Sequence, residues 1–315
     1  MRSQRTILNN LRNPIAIAAS IRERKRWEQF FIVLGWFSLL VALLTLVFLV
    51  GDLFLRGLPM LNWKFFTSPP SSDPEEAGIL TAWVGSLLVI LVTAFVAIPL
   101  GIAAGIYLEE YAPKNWLLDF IEVNITNLAG VPSIIYGLLA LGFFVYILNW
   151  GESILTAGFT LALLILPVVI VTTRESLRAI PQGIREAAYA VGSSRWQVIA
   201  DHVLPYSMGG ILTGIIVGIS RAIGETAPLI TIGALTFITF LPDPPIQSEF
   251  PYISFKWIWS PFTVLPIQMF NWVSRPQEAF QVNAAAAGIV LLVLTLAVNA
   301  TAIYLRYRFR KSIKW

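Results

Sequence analysis

Residues 77–108 read AGILTAWVGSLLVILVTAFVAIPLGIAAGIYL, 32 positions without a charge. At about 1.5 Å per helical residue, roughly 20 apolar positions cross the hydrocarbon core of a bilayer, so this stretch is long enough for a membrane span. Four other charge-free runs, 29–51, 123–151, 153–173 and 279–305, hold 23, 29, 21 and 27 residues. The 315-residue chain is 57% hydrophobic and only 13% charged, with a mean hydropathy of +0.73. A soluble domain carries about 25% charge, so the chain reads as an all-α polytopic membrane protein. It has no cysteine, which excludes a disulfide scaffold, thiol catalysis and cysteine-ligated metal centres.

Working outward from that run, spans are predicted at Phe31–Val50, 79–107, 130–149, 154–173, about Leu204–Ile230 and about Ala284–Leu305, six in all. The first is too long for the apolar core of a signal peptide and reads as an anchor. Six crossings put both termini on one side, and the basic residues say which. Residues 1–28, 108–127, 174–203 and 306–315 carry 17 Lys and Arg, whereas 51–78 and 236–282 carry four, with Arg221 left inside a span. Cytoplasmic flanks accumulate Lys and Arg, so the termini are expected in the cytoplasm of a bacterial cell, beneath its inner membrane. The net charge of +4 is thereby assigned to membrane orientation and not to nucleic acid. The expected organisation is a basic N-terminal segment at 1–28, a transmembrane domain at 29–305 and a basic tail at 306–315.

Phe250–Val273 is apolar enough to suggest a seventh crossing. That crossing would place the basic tail outside, and Pro261 and Pro266 interrupt an ordinary helix. With Trp257, Trp259 and Trp272 the segment reads as interfacial or re-entrant, within a long external loop at 236–282. Gly101 and Gly105 of GIAAGI share one side of a helix and suit close helix packing. The chain lacks a GxxxxGK[ST] phosphate loop, so ATP hydrolysis is not expected of it.

Between the fourth and fifth spans lies TRESLRAIPQGIREAAYAVGSSRWQVIADHVLPYSMGG, residues 173–210. Ile184–Val191 and Trp196–Ile199 suit two short amphipathic helices around Gly192 and Ser193. Ala187, Ala188, Val191, Trp196 and Ile199 are then expected to be buried against a partner, with Arg185, Glu186, Arg195 and Asp201 exposed. Pro205 fits the first turn of the next helix, where a missing N–H is not needed. In the fifth span Arg221 and Glu225, four apart, share a helix face. Charges facing lipid are costly, so the pair is expected toward protein or an aqueous pathway, some 16 residues or about 24 Å beyond Pro205. Pro228 cannot bond the Gly224 carbonyl, which predicts a bend or unwound segment at Gly224–Pro228.

The loop resembles the coupling segment of membrane permeases of ATP-driven importers. Their signature is Glu-Ala-Ala, three residues, Gly, nine residues, Ile, one residue, Leu-Pro. Glu186, Ala187, Ala188, Gly192, Leu204 and Pro205 match it, while His202 stands at the isoleucine position beside Val203. Arg221-Ala222-Ile223-Gly224-Glu225-Thr226-Ala227-Pro228 and Val131-Pro132-Ser133-Ile134-Ile135-Tyr136-Gly137 are similar to stretches of the PstA-type permeases of phosphate importers. The resemblance covers about Trp27–Arg306. It implies import of inorganic phosphate by this chain with a PstC-like permease, two PstB-like ATPases and a PstS-like phosphate-binding receptor, with membrane lipid around them. ATP and magnesium would belong to the ATPase subunits, with no cofactor in this chain. Arg221 and Glu225 would belong to the substrate pathway and the 174–203 loop to ATPase coupling. Three other readings remain at this point: a permease for sulfate or molybdate, a secondary transporter that uses the charged pair, and a scaffold in which the pair is sealed.

The charge asymmetry predicts that Ser71→Cys reacts with an impermeant thiol reagent on intact cells while Ser312→Cys is protected. The opposite pattern would invert the topology.

Overall fold

The computed structural model describes residues 14–235, 237–247, 252 and 254–312. Arg2, Arg5 and Arg12 of the basic N-terminal segment, and Lys314 of the tail, lie outside the described residues. The chain divides into two compact units, Met1–Leu55 and Arg56–Trp315. The first is built on helix α1, Pro14–Gly57, a run of 44 residues that includes the first predicted span.

The second unit contains the other spans. Helix α2 (Leu80–Ile106) runs on through a π-helical turn, Tyr107–Tyr111. Helix α3 (Trp116–Leu128) is followed by α4 (Ser133–Ala140) and its π-helical extension Leu141–Ile147. Helix α5 is Ile154–Arg178, α6 is Gln182–Ala190 and α7 is Leu204–Gly224. Then come α8 (Ala227–Thr231), α9 (Leu265–Val273) and α10 (Glu278–Ser312). Among the described residues five helices are long and apolar enough to cross a membrane, or six if the bent α3/α4 pair is one span.

That pair modifies the expected third span. The segment 108–127, read from sequence as a loop, is helical from Trp116, where the Asn115 side chain accepts the Leu118 N–H at 3.0 Å. The chain then turns by 104° before α4. Pro132 sits at the N-cap of α4, where its missing N–H leaves no gap in the helix. Residues 133–147 alone rise only about 22 Å, less than a full crossing.

Helices α2, α5 and α7 pack side by side at the centre. Val89, Val92, Leu161, Ile165, Val169, Ile211 and Ile219 are buried there. The two glycines of GIAAGI allow the close approach. A Cβ on Gly101 would stand 2.6 Å from Val169 Cγ1, and one on Gly105 2.7 Å from Thr173 Cβ.

Residues 254–273 form no seventh crossing. At 9 residues, α9 is about 14 Å long, and it packs against α2 and α10. Ser86 Oγ accepts the Leu265 N–H at 2.9 Å, fixing its start. Trp272 is fully buried between Phe65 and Phe280, with ring centroids 6.0 and 6.4 Å away, and Trp257 is buried too. These two tryptophans therefore serve a protein core and not an interfacial belt: Trp272 is enclosed by aromatic partners on α10 and the short helix Trp63–Thr67, and Trp257 lies in the central apolar cluster. Trp259 stays exposed.

Overpacking a tight helix contact costs about 1–3 kcal/mol. Gly105→Val is expected to lower the melting temperature of the purified subunit and its membrane abundance. An unchanged melting temperature would show that α2 and α5 can separate freely.

Candidate functional site

Residues picked out by the sequence fall at the two ends of one long helix. At its start, α6 and the short helix Arg195–Gln197 form the two arms of a knuckle. Gly192 lies between them with φ +87°, a left-handed conformation that a side chain would strain. The second arm opens with a capping box: Ser194 Oγ accepts the Gln197 N–H, and the Gln197 side chain accepts the Ser194 N–H. It then continues through a π-helical stretch, Val198–Val203, directly into α7. Leu204 and Pro205 stand at that junction, where Pro205 occupies the first turn of α7.

The knuckle has an inner and an outer face. Ala188, Val198 and Val203 are buried on Leu177, and Val203 beside His202 supplies an apolar contact at the end of the signature. Glu186, Ala187, Tyr189, Val191 and Trp196 are exposed, Val191 at 82% and Trp196 at 60%. Of the residues expected to be buried against a partner, Ala188 and Ile199 are instead buried within this chain. Ala187, Val191 and Trp196 keep an open face.

Arg185 departs from its expected exposure. It is buried, donating to the Leu177 and Ile180 carbonyls at 2.9 and 2.7 Å and to Glu110 Oε1 at 2.7 Å. A buried guanidinium must be paired, and these acceptors satisfy it. Glu109 holds Arg178 at 2.9 Å and lies 3.5 Å from Arg174, which also bonds Glu122. A cleft of about 280 Å³ opens there between α3 and α5. Sequence reading missed these pairs. The available signal was two adjacent carboxylates closing an apolar span, matched to four arginines in 174–203.

At the far end of α7 the helix stops at Gly224, as Pro228 predicts. Glu225 has extended backbone (φ −77°, ψ 127°), and α8 starts two residues later. Across the break, Arg221 Nε meets Glu225 Oε1 at 3.3 Å. Among the described residues, Glu225 supplies the only hydrogen bond to the Arg221 side chain, which leaves both Nη nitrogens open. The Arg221 side chain is 37% exposed and that of Glu225 18%. The pair is thus organised at one edge and accessible at the other.

The two motifs singled out by resemblance pack together. Helix α4 lies on α8, and a Cβ on Gly137 would collide with the Thr231 hydroxyl and stand 2.7 Å from Pro228 Cα. Tyr136 donates to the Leu128 carbonyl at 2.9 Å, bracing the α3/α4 bend.

Residues 97–314 match the model of the family described as binding-protein-dependent transport system inner membrane component. The chain is 33% identical over 312 residues to the phosphate transport system permease protein PstA of Yersinia pestis, covering 96% of this chain and 98% of that protein. It is 30% identical to the probable ABC transporter permease protein YqgI of Bacillus subtilis, covering 84% and 92%. A chain of the inward-facing MetNI methionine ABC transporter superposes with a TM-score of 0.53 at 14% identity, over 71% of this chain and 93% of that one, which establishes a shared fold. The chain belongs to the family of binding-protein-dependent transport system inner membrane components. It is a multi-pass inner-membrane permease subunit, a transport component and not itself an enzyme, which works with a partner permease and ATPase subunits.

Gly137→Val is expected to force α4 from α8, costing about 1–3 kcal/mol. Its melting temperature should fall in detergent. A parental melting temperature would mean that this contact is loose.

Proposed function

With family membership as the premise, we propose that the chain is the PstA-type subunit of an ATP-driven phosphate importer. Its partners on this reading are a PstC-like permease, two PstB-like ATPases that hold ATP and magnesium, and a PstS-like receptor. Both termini and the 174–203 loop face the cytoplasm, consistent with the distribution of Lys and Arg.

The observation that carries the substrate reading is the half-engaged guanidinium of Arg221. Glu225 holds Nε, and the open Nη edge presents two donors in a fixed plane to an incoming oxyanion. Glu225 also tempers the positive field, so phosphate is met without being trapped. The break at Gly224–Pro228 supports placement beside a pathway, because irregular backbone within a membrane needs protein or water next to it.

Coupling falls to Glu186, Ala187, Ala188, Gly192, Leu204 and Pro205. The exposed Ala187, Val191 and Trp196 suit an apolar groove on an ATPase, while Ala188 anchors the knuckle to its own chain. Gly192→Pro would change the turn and is expected to reduce ATPase copurification and phosphate uptake together. Parental values for both would remove the turn from coupling.

The pathway role has its own test. Arg221→Lys keeps the charge but loses the fork, and is expected to impair uptake. Arg221→Ala leaves Glu225 without its partner, so the double variant Arg221→Ala with Glu225→Ala is expected to assemble better yet still transport poorly. Parental uptake by the double variant at matched abundance would make the pair a structural support.

A further inference from the structure

We infer that Glu110 is a positioning residue that locks both arms of the knuckle to the end of α2, so that knuckle, α2 and α5 move as one body. The inference rests on the reading above that the knuckle docks an ATPase. Glu110 reaches the two arms through different atoms. Its carboxylate accepts from Arg185 on α6 at 2.7 Å, and its backbone carbonyl accepts from Arg195 on the second arm. The Arg195 guanidinium also lies over the Tyr111 ring, 4.9 Å from the centroid. Arg185 in turn grips the last carbonyls of the α5 end, Leu177 and Ile180.

Next along the chain, Glu109 bonds Arg178 at 2.9 and 3.2 Å and faces Arg174 at 3.5 Å, tying α2 to α5 a second time. Two adjacent glutamates thus join the end of α2 to α5 and the knuckle, which lie 69 to 85 positions further along the chain. Their burial makes the joint stiff: the Glu110 and Arg185 side chains are 11% and 10% exposed. Water competes poorly for such a pair, and neither charge can leave without stranding the other. Beneath it, Leu177, Ala188, Val198 and Val203 are closely packed with Ile106, so apolar contact follows the same route. A displacement imposed on the exposed face of the knuckle has no slack link before it reaches α2 and α5.

Glu110→Gln keeps the size of the side chain and removes its charge. In proteoliposomes holding the complete importer, the expected result is that ATPase subunits remain bound and hydrolyse ATP while phosphate imported per ATP falls about tenfold. Glu175→Gln, at an exposed glutamate near the end of α5, should keep the parental ratio. A parental ratio in Glu110→Gln would overturn the inference.

Should Glu110→Gln fail to assemble, spin labels on Lys114→Cys and Ala190→Cys, with cysteine-free partners, read the same property in a chain with Glu110 intact. Their separation is expected to be equal in the nucleotide-free and vanadate-trapped complexes, and a change between those states would overturn the inference. Loss of ATP-driven phosphate uptake by the parental complex would count against the proposed function instead, leaving the label separation to judge the joint.

Discussion

A guanidinium drawn out of water needs an acceptor for its donors and a negative charge for its own, and in this chain that requirement organises the polar end of the helix bundle. Arg174 and Arg185 are each more than nine-tenths buried. Glu109, Glu110 and Glu122 meet them, and the Leu177 and Ile180 carbonyls complete the set around Arg185. Because those carboxylates come from α2 and α3, pairing fixes where α5 and α6 end. The knuckle takes its place from that arrangement: its inner face is held by charge and by a small apolar cluster, while its outer face stays open.

From the knuckle a continuous helical path, Arg195–Gly224, spans 30 residues, or about 45 Å. One end carries the Leu204–Pro205 junction and the other carries Arg221. On the proposed function, this rod links the face that docks the ATPase to the half-engaged arginine that meets the substrate. Beyond the rod, Glu225 and Pro228 break the helix, and α8 rests on α4 at Gly137. Movement of the rod therefore bears on the contact between the two stretches that resemble phosphate permeases.

Much of this was legible in the sequence because it depends on local chemistry. Long charge-free runs marked four of the five long apolar helices among the described residues, the missing N–H of Pro228 marked the break, and Gly192 marked the turn. Spacing four apart placed Arg221 by Glu225. Less legible were contacts between residues 52 to 85 positions apart, such as Arg174 with Glu122 and Arg195 with Glu110. Topology decides those, and an arginine in a polar loop gives no local sign that it will be buried. Helix α3 and the enclosure of Trp272 were hidden for a similar reason. A tryptophan-rich segment suits a membrane interface or a protein core equally well until Phe65 and Phe280 are known to flank it.

On the proposed function, an ATP-driven knuckle moves phosphate past Arg221. Uptake of labelled phosphate by the complete reconstituted importer, with ATP inside the vesicles and receptor outside, measures it most directly. Phosphate should accumulate only with ATP and receptor present, and excess sulfate should leave the rate unchanged. Equal accumulation without ATP, or equal competition by sulfate, would contradict the account.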